Sequence, residues 1–413
     1  MDKDDIELIL AVFNGSDQPG ITATLTSILA NHEVNILDIG QTDIHNHLTL
    51  GFLFASSSRN SGLILKDLLF AANELNISVT FRPIDPNEYS KWVSMQGKNK
   101  YIVTILARAV TAEMVAAITR EVADQGMNID DIDRLTGRIP LTERERTPKA
   151  SIELSVRGNP KDKVLLQKRF MEHSDAFNMD VSFQQDSMFR RMRRLICFDM
   201  DSTLIKTEVI DELAKRAGVF DEVSEITASA MRGELDFSES FKRRCALLRG
   251  LDVSVMQEIA EGLPIMDGVD RTMKILKQIG FKIAILSGGF TYFGRYLQEK
   301  YNIDYMYANE LEVVDGKLTG RHIGDVIDGK RKAELLKLIA QVEKVDIRQT
   351  VAVGDGANDL PMISTAGLGI AFHAKPKVKE SAKQSITTMG LDGVLYFLGY
   401  KDSELDELEF SMF

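Results

Sequence analysis

Two aspartates, Asp199 and Asp201, follow directly on the apolar run Leu195-Ile-Cys-Phe198 and lead into Ser202-Thr203. In an extended chain, residues two apart point to the same side, so both carboxylates would project from the end of one short buried strand. Ligands of open α/β sheets bind at such strand ends, and two close negative charges there call for a cation or a shared proton. The first carboxylate is placed to attack phosphorus and form an aspartyl-phosphate. The second could protonate a leaving alcohol and then deprotonate an attacking water. Three later stretches offer what phosphoryl transfer needs besides. Ser287-Gly288-Gly289 presents a hydroxyl and backbone amides to phosphate oxygens. Asp355-Gly-Ala-Asn358-Asp359 adds hard oxygen ligands, which with Asp199 and Asp201 suit Mg²⁺. A lysine must offset this negative charge, and we take Lys332, although spacing does not separate it from Lys330 or Arg331. Taken singly, Asp-x-Asp is also a solvated acidic turn, and Ser-Gly-Gly and Gly-Asp-Gly are ordinary turns. Their succession on strand ends argues for chemistry.

The elements that would carry these residues read as a doubly wound, mainly parallel α/β sheet. Strand patterns at Phe281–Leu286, Thr350–Val353 and Gly367–Phe372 are separated by helical patterns, and Asp315-Gly316 marks a hairpin. Residues 205–262 carry no strand pattern; Glu208–Arg216, Asp221–Met231, Ser238–Leu248 and Ser254–Gly262 read as helices. A helical insertion directly after the reactive strand could close over it as a cap.

The N-terminal half reads as two divergent copies of one βαββαβ unit, a ferredoxin-like sandwich. In the first, a strand at residues 6–13 leads through Asp17-x-Pro19-Gly20 into a helix from Ile21; strands 34–39 and 48–55 flank a polar tip at Asp43–His47. In the second copy, Asn128-Ile-Asp-Asp-Ile132 echoes Asn35-Ile-Leu-Asp-Ile39, while Ala109-Val-Thr111 stands where the first has Asp-x-Pro-Gly. The expected division is a first sandwich at 1–84, a linker at 85–99, a second sandwich at 100–186 and the α/β domain at 187–413, with its cap at 205–262.

Composition limits the function classes. The chain has 413 residues, 44% hydrophobic and 27% charged, with a net charge of −11. No apolar run approaches the ~18 residues of a membrane span, and the acidic start lacks the features of a secretory signal. The net charge argues against general nucleic-acid binding, so the basic run Arg190-Arg-Met-Arg193-Arg194 is read as a solvated face or hinge. Neither cysteine suggests a disulfide framework, which fits a reducing, cytoplasmic compartment.

The Asp199-x-Asp201-Ser-Thr203 motif after an apolar run resembles the first motif of the haloacid dehalogenase superfamily of phosphotransferases. With Ser287-Gly-Gly-Phe290, Lys332 and Val353-Gly-Asp355-Gly-Ala-Asn358-Asp359, the resemblance over residues 190–400 narrows to the phosphoserine phosphatases. It implies Mg²⁺-dependent hydrolysis of O-phospho-L-serine, with Ser287, Gly288, Gly289 and Asn358 at the substrate. It also implies that Glu208 takes the ammonium group, that Arg244 takes the carboxylate, and that Met231 and Phe237 shield the site. The two sandwiches look like a tandem pair of ACT domains, small-molecule and often amino-acid sensors. That likeness implies a homodimer and an effector, with L-serine as the leading candidate, around Asp17, Gly20 and Asn35. Two other functions remain in view: action on another small phosphomonoester, and an amino-acid-sensing regulator without catalysis.

Overall fold

The computed structural model describes residues 6–95, 99–138, 148–232 and 234–410, without the side chains of Met231, Lys377 and Phe410. The chain forms two compact units, 1–98 and 99–413. No described helix is long and apolar enough to cross a membrane.

The first unit is a four-stranded antiparallel sheet of order β2-β3-β1-β4, with β1 Ile6–Ser16, β2 Asn35–Ile44, β3 His47–Ser57 and β4 Ser78–Ile84. Alternate residues of β1 (Ile9, Ala11, Phe13) and β3 (Leu48, Leu50, Phe52, Phe54) are buried. This period-two stripe packs on the apolar faces of helices Ile21–Asn31 and Ser58–Glu74, through Leu25, Leu29, Ile64 and Leu68. The β2–β3 connection is tighter than the expected tip: His45 and Asn46 turn the chain with φ of 55° and 59°, the left-handed pair favoured in two-residue hairpins. The segment expected as a linker contains a helix, Pro86–Ser94, capped by the Asp85 side chain on the amides of Asn87 and Glu88. Proline in the first helical turn starts a helix rather than breaking one.

The second unit opens with the second sandwich, of order β6-β7-β5-β8: β5 Lys100–Ala107, β6 Asn128–Arg134, β7 Ala150–Arg157 and β8 Asp180–Gln185. The sequence echo between the copies marks a shared irregularity. Pairing slips between Ile36 and Asp38 in β2 and between Ile129 and Asp131 in β6, so both copies carry a bulge at the same place.

A seven-stranded sheet follows, of order β12-β11-β10-β9-β13-β14-β15: β9 Leu195–Phe198, β10 Lys282–Phe290, β11 Tyr305–Val314, β12 Lys317–Ile323, β13 Thr350–Gly354, β14 Leu368–Phe372 and β15 Ser385–Ile386. The four residues of β9 are all buried, and the strand lies parallel to β10 on one side and β13 on the other. Its end therefore sits at the centre of the sheet edge where ligands collect. Antiparallel β11–β12 closes through Asp315-Gly316, both at positive φ. Residues 205–262 form helices Val209–Ala217, Phe220–Met231, Phe237–Leu247 and Ser254–Glu261, the expected cap.

The second sandwich is bonded into the α/β domain. The buried Asp180 carboxylate accepts the backbone amides of Thr387 and Thr388, at 2.7 and 3.0 Å, and both their hydroxyls. Gln184 donates to Phe397 O (2.8 Å) and accepts from Arg193 (2.7 Å). The basic run is thus a solvated face only in part: Arg191 and Arg194 are exposed. Arg190 and Arg193 are buried, and Arg190 pairs with Glu153 of β7 at 2.7 Å; charged side chains this far from water are held by partners, which sequence spacing does not reveal. Asp180→Ala would strand two amides and two hydroxyls. It should lower the stability of the full chain to urea unfolding by about 3 kcal/mol, whereas a shift under 1 kcal/mol would mean that this seam contributes little.

Candidate active site

The α/β domain and its cap enclose a cavity of about 830 Å³. At its floor Asp199 leaves β9, its amide donating to Val353 O of β13 at 2.9 Å, so that the neighbouring strand fixes the first residue past the sheet. Lys332, on helix Gly329–Val342, is fully buried beneath the floor. Its Nζ lies 2.8 Å from Asp199 Oδ1 and 2.6 Å from Asp359 Oδ1. Burial alone would depress this ammonium, but the two carboxylates outweigh it and hold the pKa above the ordinary lysine value. Neither Lys330 nor Arg331 takes this place. The second oxygen of Asp359 accepts the Gly356 amide at 3.0 Å. Gly354 permits this fold-back, because a Cβ there would lie 2.4 Å from Asp359 Cγ.

Asp201 accepts the Val209 amide at 3.1 Å, at the start of the first cap helix. Burial first, then the nearby charges, pushes the pKa of Asp199 and of Asp201 well above the carboxylate range: for Asp199 chiefly Asp359, for Asp201 chiefly Glu208. Asp355, bonded by Thr203 Oγ1 at 3.4 Å, is pushed up to about 7 by burial and by Asp359 and Glu208. Asp199, Asp355 and Asp359 bring one oxygen each within 4.8 Å of one another. All the donors are hard carboxylate oxygens, and one lysine does not neutralise them, so this trio fits a hard divalent cation. Asp201, expected in the same set, lines the same cavity; its Oδ1 is the oxygen that accepts the Val209 amide.

The opposite wall is the cap. Arg244, on helix Phe237–Leu247, has no carboxylate within ion-pairing distance among the described residues; its contacts are the Ser240 carbonyl at 3.4 Å and the Thr227 hydroxyl at 3.5 Å. Burial depresses its pKa, against the pull of Glu208, Asp211 and Asp201. Glu208 accepts from Ser202 Oγ at 2.9 Å. Phe237 covers Gly288: a Cβ on Gly288 would meet its ring tip at 3.0 Å. Phe237 also stacks on Phe241, whose ring packs against Phe290 after the Ser-Gly-Gly stretch, with centroids 6.4 and 5.9 Å apart.

Asp199, Asp201, Glu208, Phe237, Arg244, Gly288, Gly289, Asp355 and Asn358 all line the cavity. Lys332, Asp359 and Ser287 lie buried behind this wall. Ser287 Oγ accepts the Gly289 amide at 2.9 Å, so within the expected donor cluster one donor is already used. The Met231 side chain lies outside the described residues. The sequence reading missed Thr227, Asp211 and the stretch Lys375, Val378 and Ser381, which also line the cavity. None carries a motif; the last three arrive from beyond β14 through the fold alone.

In the first sandwich Gly20 begins helix Ile21–Asn31 with a φ of 98°, a conformation that glycine adopts without strain. The Asp17 amide donates to Asn46 O at 2.9 Å, and Thr22 bonds Gln41 of β2 at 3.1 Å. Asn35 is not brought to this turn. It pairs with Ala55 at the other end of β2, six residues from Gln41, or roughly 20 Å along a strand.

Residues 193–367 match the haloacid dehalogenase-like hydrolase family, and residues 7–82 and 100–184 each match an ACT domain family. The chain is 38% identical to the phosphoserine phosphatase of Streptomyces coelicolor, across 97% of this chain and 94% of that one. It is also 38% identical to the phosphoserine phosphatase SerB2 of Mycobacterium tuberculosis, across 96% and 94%. Among solved structures, a probable phosphoserine phosphatase from Vibrio cholerae superposes with a TM-score of 0.55 at 34% identity, covering 73% of this chain and 86% of the other. With identity sustained over almost the whole of both chains, and with a hydrolase domain behind two ACT domains, the protein belongs to the phosphoserine phosphatase family of haloacid dehalogenase-like hydrolases.

Proposed function

We propose that the protein is a Mg²⁺-dependent phosphatase that hydrolyses O-phospho-L-serine to L-serine and phosphate, the last step of serine biosynthesis, in the cytoplasm. The observation that carries this reading is the polarity of the cavity. A crowded carboxylate cluster with a buried lysine lies at the floor, and Arg244, without a carboxylate partner among the described residues, lies beside Glu208 in the cap. A free phosphoamino acid has a phosphate for the first end, and an ammonium and a planar carboxylate for Glu208 and Arg244. The domain division given above belongs to the same proposal.

In this mechanism an Asp199 carboxylate oxygen attacks phosphorus, and the bond to the serine oxygen breaks. Asp201, whose carboxyl pKa burial and Glu208 raise, gives its proton to that oxygen. Asp201 then takes a proton from water as the water attacks phospho-Asp199, which releases phosphate and restores the aspartate. Lys332 holds Asp199 in place and balances its charge. Phe237 shields the site from solvent, and Gly288, Gly289 and Asn358, which line the cavity, contact the phosphate, with Ser287 behind them bonded to the Gly289 amide. Bound through Asp199, Asp355 and Asp359, Mg²⁺ would supply positive charge against the phosphate oxygens.

Phosphate release from a panel of phosphomonoesters, with and without Mg²⁺, tests the reading. Phosphoserine should be preferred, and Asp199→Asn should show no turnover. Arg244→Ala should lose about 2–5 kcal/mol of discrimination between phosphoserine and phosphoethanolamine, which lacks the carboxylate. Equal rates on phosphoserine and sugar phosphates would reject the substrate, and absence of metal-dependent turnover on every ester would reject the enzyme.

The raised carboxylate pKa values set a pH dependence. Asp355 holds its proton up to about pH 7 when folded, against roughly 3.9 when unfolded. Between those values the folded state binds more protons, so metal-free stability falls as pH rises through that window. Mg²⁺ competes with the proton and removes the repulsion. The rise in melting temperature on adding Mg²⁺ should therefore grow from pH 5 to pH 8; a rise independent of pH would show that these groups do not hold the ion.

The N-terminal ACT domain, in this proposal, senses an amino acid, with L-serine first because it is the product. Supporting this are the Asp17-x-Pro19-Gly20 turn and the helix start behind it, where a carboxylate is favoured. Asn35 can join such a site only from a second copy of the chain, which is the reason to propose a homodimer. Deleting residues 1–98, or replacing Asp17 by Ala in the full chain, should leave phosphoserine turnover largely intact and abolish any serine effect beyond product inhibition. Unchanged serine sensitivity in both would refute the sensor.

A further inference from the structure

We propose that Asn309 is a positioning residue that ties the phosphate-binding loop to the segment carrying Lys332. The inference rests on the phosphatase reading above and assigns a role to a residue that none of its motifs contains.

The parallel ladder between β10 and β11 is regular from Ala284 to Leu286 and then breaks. Leu286 pairs with Tyr307, but the next pair is Phe290 with Asn309. Ser287, Gly288 and Gly289 therefore stand opposite a single residue, Ala308, and bulge from the sheet towards the cavity. A bulge re-aims the chain and removes backbone groups from the ladder. Those groups need other partners when buried. Asn309, 2% exposed, supplies one: its Nδ2 donates to Gly288 O at 2.8 Å. Its Oδ1 accepts the buried Ile327 amide at 2.8 Å.

A side-chain amide of this length offers a donor and an acceptor from one planar group to a carbonyl and an N–H at once. The two partners also fix which way the amide faces. From Ile327 the link continues covalently. Asp328 caps the following helix by accepting the Arg331 amide at 2.8 Å, and its carbonyl accepts the Lys332 amide at 2.9 Å. The Lys332 ammonium then reaches Asp199 and Asp359. One amide thus sets the distance between the loop beneath the phosphate and the helix start that aims the balancing lysine. Its loss would leave a buried carbonyl and a buried N–H free to seek other partners, and both segments would shift.

Asn309→Leu keeps the size and has neither donor nor acceptor, and Asn309→Asp, assayed at a pH where it is ionised, keeps the acceptor for Ile327 but has no donor for Gly288. In folded protein both should lower kcat for phosphoserine by about 10- to 100-fold, the scale for small misplacement of reacting groups. KM should stay within about threefold, and inhibition by vanadate with Mg²⁺, which mimics the pentacoordinate phosphorus of the displacement, should weaken in step with kcat. A purely structural bond would lower the melting temperature alone. Wild-type kcat and vanadate inhibition in either folded variant overturns the proposal. Hydrogen exchange on wild-type protein gives a test that needs no variant: vanadate with Mg²⁺ should slow the amides of 286–290 and of 325–332 together, and slowing of only one segment also overturns it. Absence of metal-dependent turnover in the wild type would instead reject the phosphatase reading itself.

Discussion

Charge crowding at the end of β9 is the constraint on which the rest of the catalytic domain depends. Asp199, Asp201, Asp355 and Asp359 are gathered at one edge of a sheet, with Glu208 close above and Lys332 the cation buried among them. Unpaired charges in such a place are expensive. The structure meets that expense with carboxyls whose pKa burial raises, a lysine bonded to two carboxylates, and an acidic trio shaped for a cation. Helix Gly329–Val342 and the fold-back of Asp359 over Gly354 serve the placement of these few groups.

The cap answers the same field from the other side. Its first helix begins where the Val209 amide meets Asp201, so the element that shapes the substrate cavity is anchored on a member of the acidic group. Its third helix carries Arg244 into the cavity and leans on the sheet through Phe237, Phe241 and Phe290. The groups proposed for substrate recognition and for acid-base chemistry are thus parts of one packed assembly, which is how remote binding contacts come to influence a reacting centre.

The two ACT-like repeats share a topology and a bulge but differ in how they are held. The second is joined to the α/β domain by the Asp180, Gln184 and Arg190 contacts, and Lys379, in the helix whose residues Val378 and Ser381 line the cavity, pairs with Asp175 of its second helix. The first keeps the turn at Gly20 and forms a compact unit of its own. Without an Asp-x-Pro-Gly turn and with this seam, the second copy reads as part of the catalytic body.

What the sequence determined by itself was whatever is local. An apolar run before two aspartates makes a buried strand with a reactive end; alternation in β1 and β3 makes a half-buried sheet; Asp315-Gly316 makes a hairpin. Asp199 and Asp355 lie immediately after β9 and β13, and Ser287-Gly-Gly lies in the bulged end of β10, so these motifs follow the order of the strand ends. Tertiary structure decided everything that depends on partners distant in the chain. Among three adjacent cations, only the one on the inner face of its helix reaches Asp199. Arg190 and Arg193 were misread as a solvated face because Glu153 and Gln184, which hold them, arrive from other strands. Asn35 was placed beside a turn that the register of β2 keeps at the far end of the sheet. Asn309 and Asp180 carry no local signal at all: each satisfies groups tens or hundreds of residues away, and a hydrogen bond closed across the fold leaves no trace in sequence spacing.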